Sequence, residues 1–244
     1  MIAALWQQVC AAPNDEDLRR VLGDALLDAG DPRGELIQLQ SMPLVRQTPD
    51  VVERCNELIE AHWSEWLGVM ADVLDLEGTY FRHGFLDEIT VRGAASGVRN
   101  HRELYTVRAV RPARIAPTAF AHFVADLPHE PVMIELPDHV AEFARLRPTW
   151  SARGLCIHFT DDVLTTVAPV FPALEQLELS PARTNWNAER AVALIPRLAA
   201  TFTHLTSIVL DCRVPDLWYP HGDASAGEAL LAQAGLSPLV TIRR

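Results

Sequence analysis

Two segments of the same form lie thirty-one residues apart and constrain the fold more than any other feature of the sequence. Leu174-Glu-Gln-Leu177-Glu-Leu179 holds leucine at its first, fourth and sixth positions, and Leu205-Thr-Ser-Ile208-Val-Leu210 repeats the pattern. A segment this short cannot bury its own apolar side, so it needs neighbouring copies stacked against it. The pattern therefore predicts an array of short strands.

Looser copies of the pattern come earlier in the chain, and helix-like stretches separate the copies. The three positions hold Leu86, Ile89 and Val91, then Pro131, Ile134 and Leu136, then Ala152, Leu155 and Ile157, with a partial match at Pro112 and Ile115. Helical patterns are predicted for residues 118–127, 161–167 and 187–200, and a closing strand for residues 239–242. We expect an α/β fold in which residues 79–244 form a degenerate solenoid with an exposed parallel sheet.

Residues 1–78 are predicted to form a helical module ahead of this array. Asn14 is a candidate N-cap for a helix whose apolar residues follow a helical period from Leu18 to Ala29, and Gly30 ends it. Asp31-Pro-Arg-Gly34 predicts a tight turn, and a second long helix follows Pro49. We expect this module to cap the first repeat, although independent folding is the open alternative.

Parts of the chain resemble a known bacterial family. Residues 1 to about 42, and especially residues 12–40, resemble the repeat-companion domain that precedes leucine-rich repeats in some large-genome bacteria, through the Asp31-Pro-Arg-Gly-Glu35 turn and the Leu39-Gln40 ending. His83-Gly84-Phe85 is similar to the junction where such repeats begin, and residues 80–242 resemble a degenerate leucine-rich-repeat array. The resemblance implies a leucine-rich-repeat-like solenoid with an N-terminal helical module, a binding or scaffolding role, and no catalytic residues.

Strand residues that point away from the solenoid interior are the candidates for contact with a partner, and an aromatic pair in the last long connection joins them. An ordinary solvated strand face explains the strand residues equally well, and the aromatic pair can instead cover the end of the solenoid. The candidates are Asp87, Glu88, Thr90, Arg92, Glu135, His158, Glu175, Gln176, Glu178, Thr206, Asp211, Trp218 and Tyr219.

Composition excludes several classes of function. The chain contains no lysine, which removes phosphate-loop NTPases, Schiff-base enzymes and protein kinases. Its net charge of −11 argues against a nucleic-acid partner. The cysteines and histidines show no metal-ligand spacing, and Gly93-Ala-Ala-Ser-Gly97 is not a nucleophile elbow. We therefore expect a cytoplasmic, non-enzymatic protein without cofactor, metal or membrane contact.

The charge is unevenly distributed along the chain. Residues 1–80 hold 15 acidic and five basic side chains, whereas residues 81–244 hold 17 and 16. Two functional hypotheses follow, and an unrecognised hydrolase whose catalytic residues are dispersed along the chain stays open as a third. The first is an adaptor or scaffold that binds a protein partner through the exposed sheet and adjacent loops. The second is an immunity or antitoxin-like inhibitor that neutralises a basic toxin through an acidic surface. The candidates for this surface are the N-terminal module and local strand carboxylates such as Glu175 and Glu178.

Overall fold

The chain has a mixed α/β structure. The computed structural model describes residues 1–93, 98–136, 140–158, 163–180, 188–211, 232, 235 and 239–243. Within these residues there are eight α-helices and eight strands, and most of the strand pairings are parallel. The chain divides into two compact units, Met1–His129 and Glu130–Arg244. The division falls after residue 129, so the helices predicted for residues 1–78 share a unit with the first strands.

The first unit begins with four helices. They are α1 (Ile2–Ala11), α2 (Glu16–Asp28), α3 (Pro32–Gln40) and α4 (Pro49–Leu67).

Aspartates cap two of these helices at their N-termini. Asp15, rather than the expected Asn14, is the N-cap of α2, and its Oδ1 accepts hydrogen bonds from the main-chain N–H groups of Asp17 and Leu18. The expected tight turn after Gly30 is instead the first turn of α3, with Asp31 as N-cap and Pro32 at the first helical position. Both caps suit these positions because the carboxylate satisfies N–H groups that have no partner within the helix.

Three strands follow the helices in the same unit. They are β1 (Tyr80–Arg82), β2 (Phe85–Val91) and β3 (Ala109–Pro112); β1 pairs antiparallel with β2, and β2 pairs parallel with β3. His83 and Gly84 connect β1 to β2 with positive φ angles of 50° and 76°, as a tight hairpin turn requires. Helix α5 (Pro117–Ala125) comes after β3.

The helices pack directly on strand β2. Trp6 of α1 meets Phe85 edge-to-face, with ring centroids 5.2 Å apart. Leu22 and Leu26 of α2 and Ile37 of α3 belong to the same buried cluster. The apolar period of α2 therefore marks the side that faces this core.

In its described residues, the second unit holds five parallel strands, with helices between the first four. The strands β4 (Met133–Leu136), β5 (Gly154–His158), β6 (Gln176–Ser180), β7 (Ser207–Asp211) and β8 (Val240–Arg243) pair in chain order. Helices α6 (Val140–Leu146), α7 (Val163–Val167) and α8 (Ala188–Thr201) connect β4 to β5, β5 to β6, and β6 to β7.

Apolar side chains at one strand position form a continuous buried row. The register aligns Ile134, Leu155, Leu177, Ile208 and Val240, none of which is more than 8% exposed. This is the middle position of the repeated pattern, and its burial across five strands gives the unit its core.

An aromatic cluster in the connections adds to this core. Phe143 of α6, Trp150 and Phe171 are buried, and the Trp150 indole N–H donates to the Phe143 carbonyl over 3.1 Å. The indole is therefore buried with its one donor satisfied.

None of the helices in the described ranges is both long enough and apolar enough to cross a membrane.

Candidate functional site

Alternate residues of strands β4–β8 form a second row, on the side of the strands opposite the buried row. The register aligns Glu135, Cys156, Glu178, Val209 and Thr241, of which the first four are partly exposed and Thr241 is exposed. Gln176 and Ser207 are aligned with each other at the start of their strands. We name this surface the strand face; its residues are Glu135, Cys156, Gln176, Glu178, Ser207, Val209 and Thr241.

Two other candidates lie just before the strands. The Glu175 carboxylate is 3.6 Å from the Arg153 guanidinium. Its main-chain carbonyl accepts hydrogen bonds from the Thr206 main-chain N–H, at 2.8 Å, and from the Thr206 hydroxyl, at 3.1 Å. These hydrogen bonds between Glu175 and Thr206 therefore connect the residues just before β6 to those just before β7, beside the strand face.

The remaining candidates of the second unit are only partly described. His158 and Asp211 end strands β5 and β7, and the structure describes their main chains alone. Trp218 and Tyr219 lie outside the described residues.

In the first unit, the candidates Thr90 and Arg92 form hydrogen bonds to the segment that precedes β1. The Thr90 hydroxyl donates to the Gly78 carbonyl over 2.6 Å. The Arg92 guanidinium donates to the carbonyls of Asp72 and Ala71, at 3.3 and 3.4 Å. Hydrogen bonds within the fold thus engage both side chains.

The expectation that Asp87 points outward is wrong. Asp87 shares its side of β2 with the buried Phe85 and is only 6% exposed. Its two carboxylate oxygens accept hydrogen bonds from Nε and Nη2 of Arg108, at 2.5 and 2.6 Å. The pairing compensates the burial of the carboxylate. Glu88, on the other side of the strand, is partly exposed and lies 2.8 Å from Arg111.

Asp87 belongs to a charged cleft that sequence reasoning missed. The cleft has a volume of about 250 Å³ and is lined by Asn14, Glu16, Arg19, Arg82, Asp87 and Arg108. We name it the Arg19 cleft. It brings together the beginning of α2, the end of β1, β2 and the residue just before β3.

Arg19 differs from the other arginines of the cleft. Arg108 pairs with Asp87, and Arg82 lies 3.4 Å from Glu16. Arg19 is 4% exposed; its Nη1 donates to the Arg82 carbonyl over 3.1 Å, and its guanidinium lies 5.0 Å from the centre of the Phe85 ring. No described acidic group lies within ion-pair distance of Arg19, and its Nε has no hydrogen-bond partner among the described residues.

The environment shifts the pKa values of these guanidinium groups in opposite directions. Burial lowers the pKa of Arg19, an effect that the nearby Asp87 charge opposes. The hydrogen bonds to Asp87 raise the pKa of Arg108. Arginine remains charged at neutral pH in either case, so Arg19 is a buried cation.

A signal for Arg19 exists in the sequence. Arg19 precedes Leu22 by three residues and Leu26 by seven, a spacing that places it on the apolar side of α2. An arginine on the buried side of a helix needs a polar partner from elsewhere in the fold. The partners lie more than sixty residues away, at Arg82, Asp87 and Arg108, so the helix pattern alone does not identify them.

The described residues contain no cluster of three or more His, Cys, Asp or Glu side chains that could hold a metal ion. Cys10 and Cys55 are free thiols, and burial raises the pKa of each. A raised thiol pKa disfavours the nucleophilic thiolate.

No protein-family model matches this sequence, and neither a curated protein nor a solved structure matches the chain.

Proposed function

We propose that this protein is a non-catalytic adaptor or scaffold that binds a protein partner through the strand face and the adjacent loops. The observation that carries the proposal is the register of β4–β8, which aligns polar and small side chains in rows opposite a continuous apolar core. A row of partly exposed side chains on parallel strands is a pre-formed surface. Binding a partner therefore costs little conformational entropy, because the surface is already ordered.

The same observations support a leucine-rich-repeat-like solenoid as the architecture of residues 79–244. Strand and helix alternate from β4 to β7, and the strands pair in chain order. Leu174, the first position of the clearest repeat, is fully buried just ahead of β6. In such an array each repeat supplies one strand to a common surface, and binding contacts are spread over several repeats.

A charge reversal on the strand face tests the adaptor proposal. Glu178→Arg places a cation at the centre of the aligned row and should lower the amount of specifically captured partner at least about tenfold, because like-charge contacts at an interface are strongly unfavourable. The measurement is affinity capture from the native host, followed by titration of the captured protein against purified wild type and variant.

Asp126→Arg, at the exposed C-terminal end of helix α5, is the matched control, since it makes the same charge change outside the strand face. Both variants should keep the wild-type melting temperature. A partner that binds Glu178→Arg and Asp126→Arg with equal affinity contradicts the strand face as the contact surface.

The alternative function, an immunity or antitoxin-like inhibitor, has one observation in its favour. Helix α4 presents Glu53, Glu57 and Glu60 at helical spacing on an exposed side, and the N-terminal 80 residues carry most of the net negative charge. Such a surface suits a basic cleft on a partner. In the same capture experiment, loss of the partner in a Glu53→Arg/Glu60→Arg variant, with binding retained by Glu178→Arg, favours the inhibitor.

A further inference from the structure

The charges in the Arg19 cleft do not balance. Three guanidinium groups, those of Arg19, Arg82 and Arg108, line it together with two carboxylates, those of Glu16 and Asp87. The carboxylates are engaged by Arg82 and Arg108, which leaves Arg19 as the cation with no described acidic group within ion-pair distance. Buried charges in proteins are ordinarily paired, because an unpaired one loses its hydration without compensation.

Arg19 is also short of hydrogen-bond acceptors. Its side chain is almost completely buried, and its one acceptor in the described part of the chain is the Arg82 carbonyl. The Nε–H is itself buried and has no partner among the described residues, while the Arg19 side chain lines the cleft. A guanidinium edge with an unused donor is the group that binds planar anions in protein sites.

We propose that the Arg19 cleft is a binding site for a carboxylate group, held by the guanidinium of Arg19. The single excess positive charge matches a monoanion. A phosphate dianion would add a second negative charge beside the Glu16 and Asp87 carboxylates, which lie in the same cleft.

The size of the cleft agrees with this assignment. Its volume of about 250 Å³ lies below the range of about 300–1,000 Å³ that is typical for drug-sized ligands and cofactors. It can hold a small carboxylic acid or the terminal residue of a peptide. Both sources offer the same carboxylate, and the experiment below separates them.

This site is independent of the proposed partner surface. Every residue of the Arg19 cleft belongs to the first unit, whereas the strand face belongs to the second. Failure of either proposal leaves the other in place.

The test is an NMR titration of the full-length ¹⁵N-labelled protein at constant ionic strength. Acetate and acetylglycine are the carboxylate probes, acetamide and acetylglycinamide are their uncharged counterparts, and inorganic phosphate is the competing anion. We expect acetate to shift the Arg19 Nε–Hε signal saturably, while the amides leave it in place. Acetylglycine binding at least about tenfold more tightly than acetate identifies a peptide C-terminus as the source, whereas equal affinities identify a small free acid.

Two variants and a matched control complete the test. Arg19→Gln should weaken acetate binding at least about tenfold, as followed by the main-chain amide signals of the cleft, whereas Arg20→Gln, a change at the exposed neighbour on the same helix, should not. Asp87→Asn removes a competing carboxylate and frees Arg108, so it should tighten binding about tenfold or more. This variant keeps the test decisive if Arg19→Gln does not fold.

Several results would overturn the proposal. Shifts that fail to saturate with either carboxylate show that there is no site. Equal responses to acetamide and acetate, or binding of phosphate alone, show that a carboxylate is not the ligand. Weaker acetate binding in Asp87→Asn shows that the positive charges of Arg19 and Arg108 do not bind the acetate.

Discussion

Arg33 is the most completely engaged charged residue of the first unit. It is 1% exposed, and its Nη1 and Nη2 donate to the two carboxylate oxygens of the fully buried Glu103, at 2.8 and 2.6 Å. Its Nε donates to the Gly84 carbonyl over 2.8 Å, and the Trp6 and Trp66 rings lie about 5 Å from its guanidinium. One side chain thus joins α3, the β1–β2 turn and the Arg102–Thr106 segment.

Breaking this pair should be costly. Glu103→Gln keeps the shape but leaves the Arg33 charge buried without a counter-ion, so we expect the free energy of unfolding to fall by about 3–5 kcal/mol. The measurement is urea-induced unfolding. Glu35→Gln is the matched control, because Glu35 pairs with Arg54 at the surface and should contribute less than about 1 kcal/mol. Equal losses in the two variants would contradict the central role of the buried pair.

Sequence reasoning did not find this pair. Asp31-Pro-Arg-Gly34 satisfies the rules for a tight turn and also those for a capped helix start, and nothing local decides between them. The structure selects the helix because it brings Arg33 to Glu103, seventy residues away. A long-range ion pair of this kind has no periodic signature.

At the scale of elements, helices α2 and α3 approach each other at a glycine. A Cβ built on Gly34 would lie 2.7 Å from the Leu27 Cα and 2.8 Å from the Gly23 carbonyl oxygen, both backbone atoms. Backbone cannot move aside as a flexible side chain can. Close contact between these two helices therefore depends on the absence of a side chain at residue 34.

A methyl group at this crossing should push the helices apart. We expect Gly34→Ala to lower the free energy of unfolding by about 1–3 kcal/mol, despite the better helix propensity of alanine. Gly93→Ala is the control, since a Cβ there meets nothing nearer than 3.7 Å, and it should change stability by less than about 0.5 kcal/mol. Thermal unfolding of both variants measures these changes. An unchanged stability in Gly34→Ala would contradict the packing argument.

Periodicity predicted the strands of the second unit well. Strands β4–β8 each begin within two residues of the predicted position, and the apolar middle positions Ile134, Leu155, Leu177 and Ile208 are all buried. Alternating burial on a parallel strand leaves a local signal of this kind.

Three elements lacked such a signal. Strand β1 exists through its pairing with β2, and α6 is a helix of only seven residues. Strand β3 ends at Pro112, ahead of the expected Ile115, because its register follows β2. Elements that tertiary pairing creates are not visible in the local pattern.

At the scale of the whole molecule, the two surfaces differ in how far the sequence revealed them. The strand face follows from alternation, so Glu135, Gln176 and Glu178 were predicted from phase alone. The Arg19 cleft combines α2 with residues that follow more than sixty positions later, so it became visible only in the folded chain. The strand that holds Asp87 was predicted, but the side on which Asp87 lies was not. Alternation along β2 places Asp87 beside the buried Phe85 and Ile89, and the Arg108 pair compensates its charge there.

The stability of the molecule should fall as the pH drops below the ordinary histidine pKa of 6.5. Burial lowers the pKa values of His83, His101 and His129, so between their folded and unfolded values the unfolded chain binds protons that the folded chain does not. Their contribution is fully present above pH 6.5 and is lost towards lower pH. Urea unfolding between about pH 7.5 and about pH 5.5 measures it, in a range where ordinary carboxylates stay ionised. His101→Gln should flatten this dependence relative to wild type and to His204→Gln at an exposed position, because the His101 Nδ1 is buried. An unchanged slope in His101→Gln would show that this imidazole does not cause the dependence.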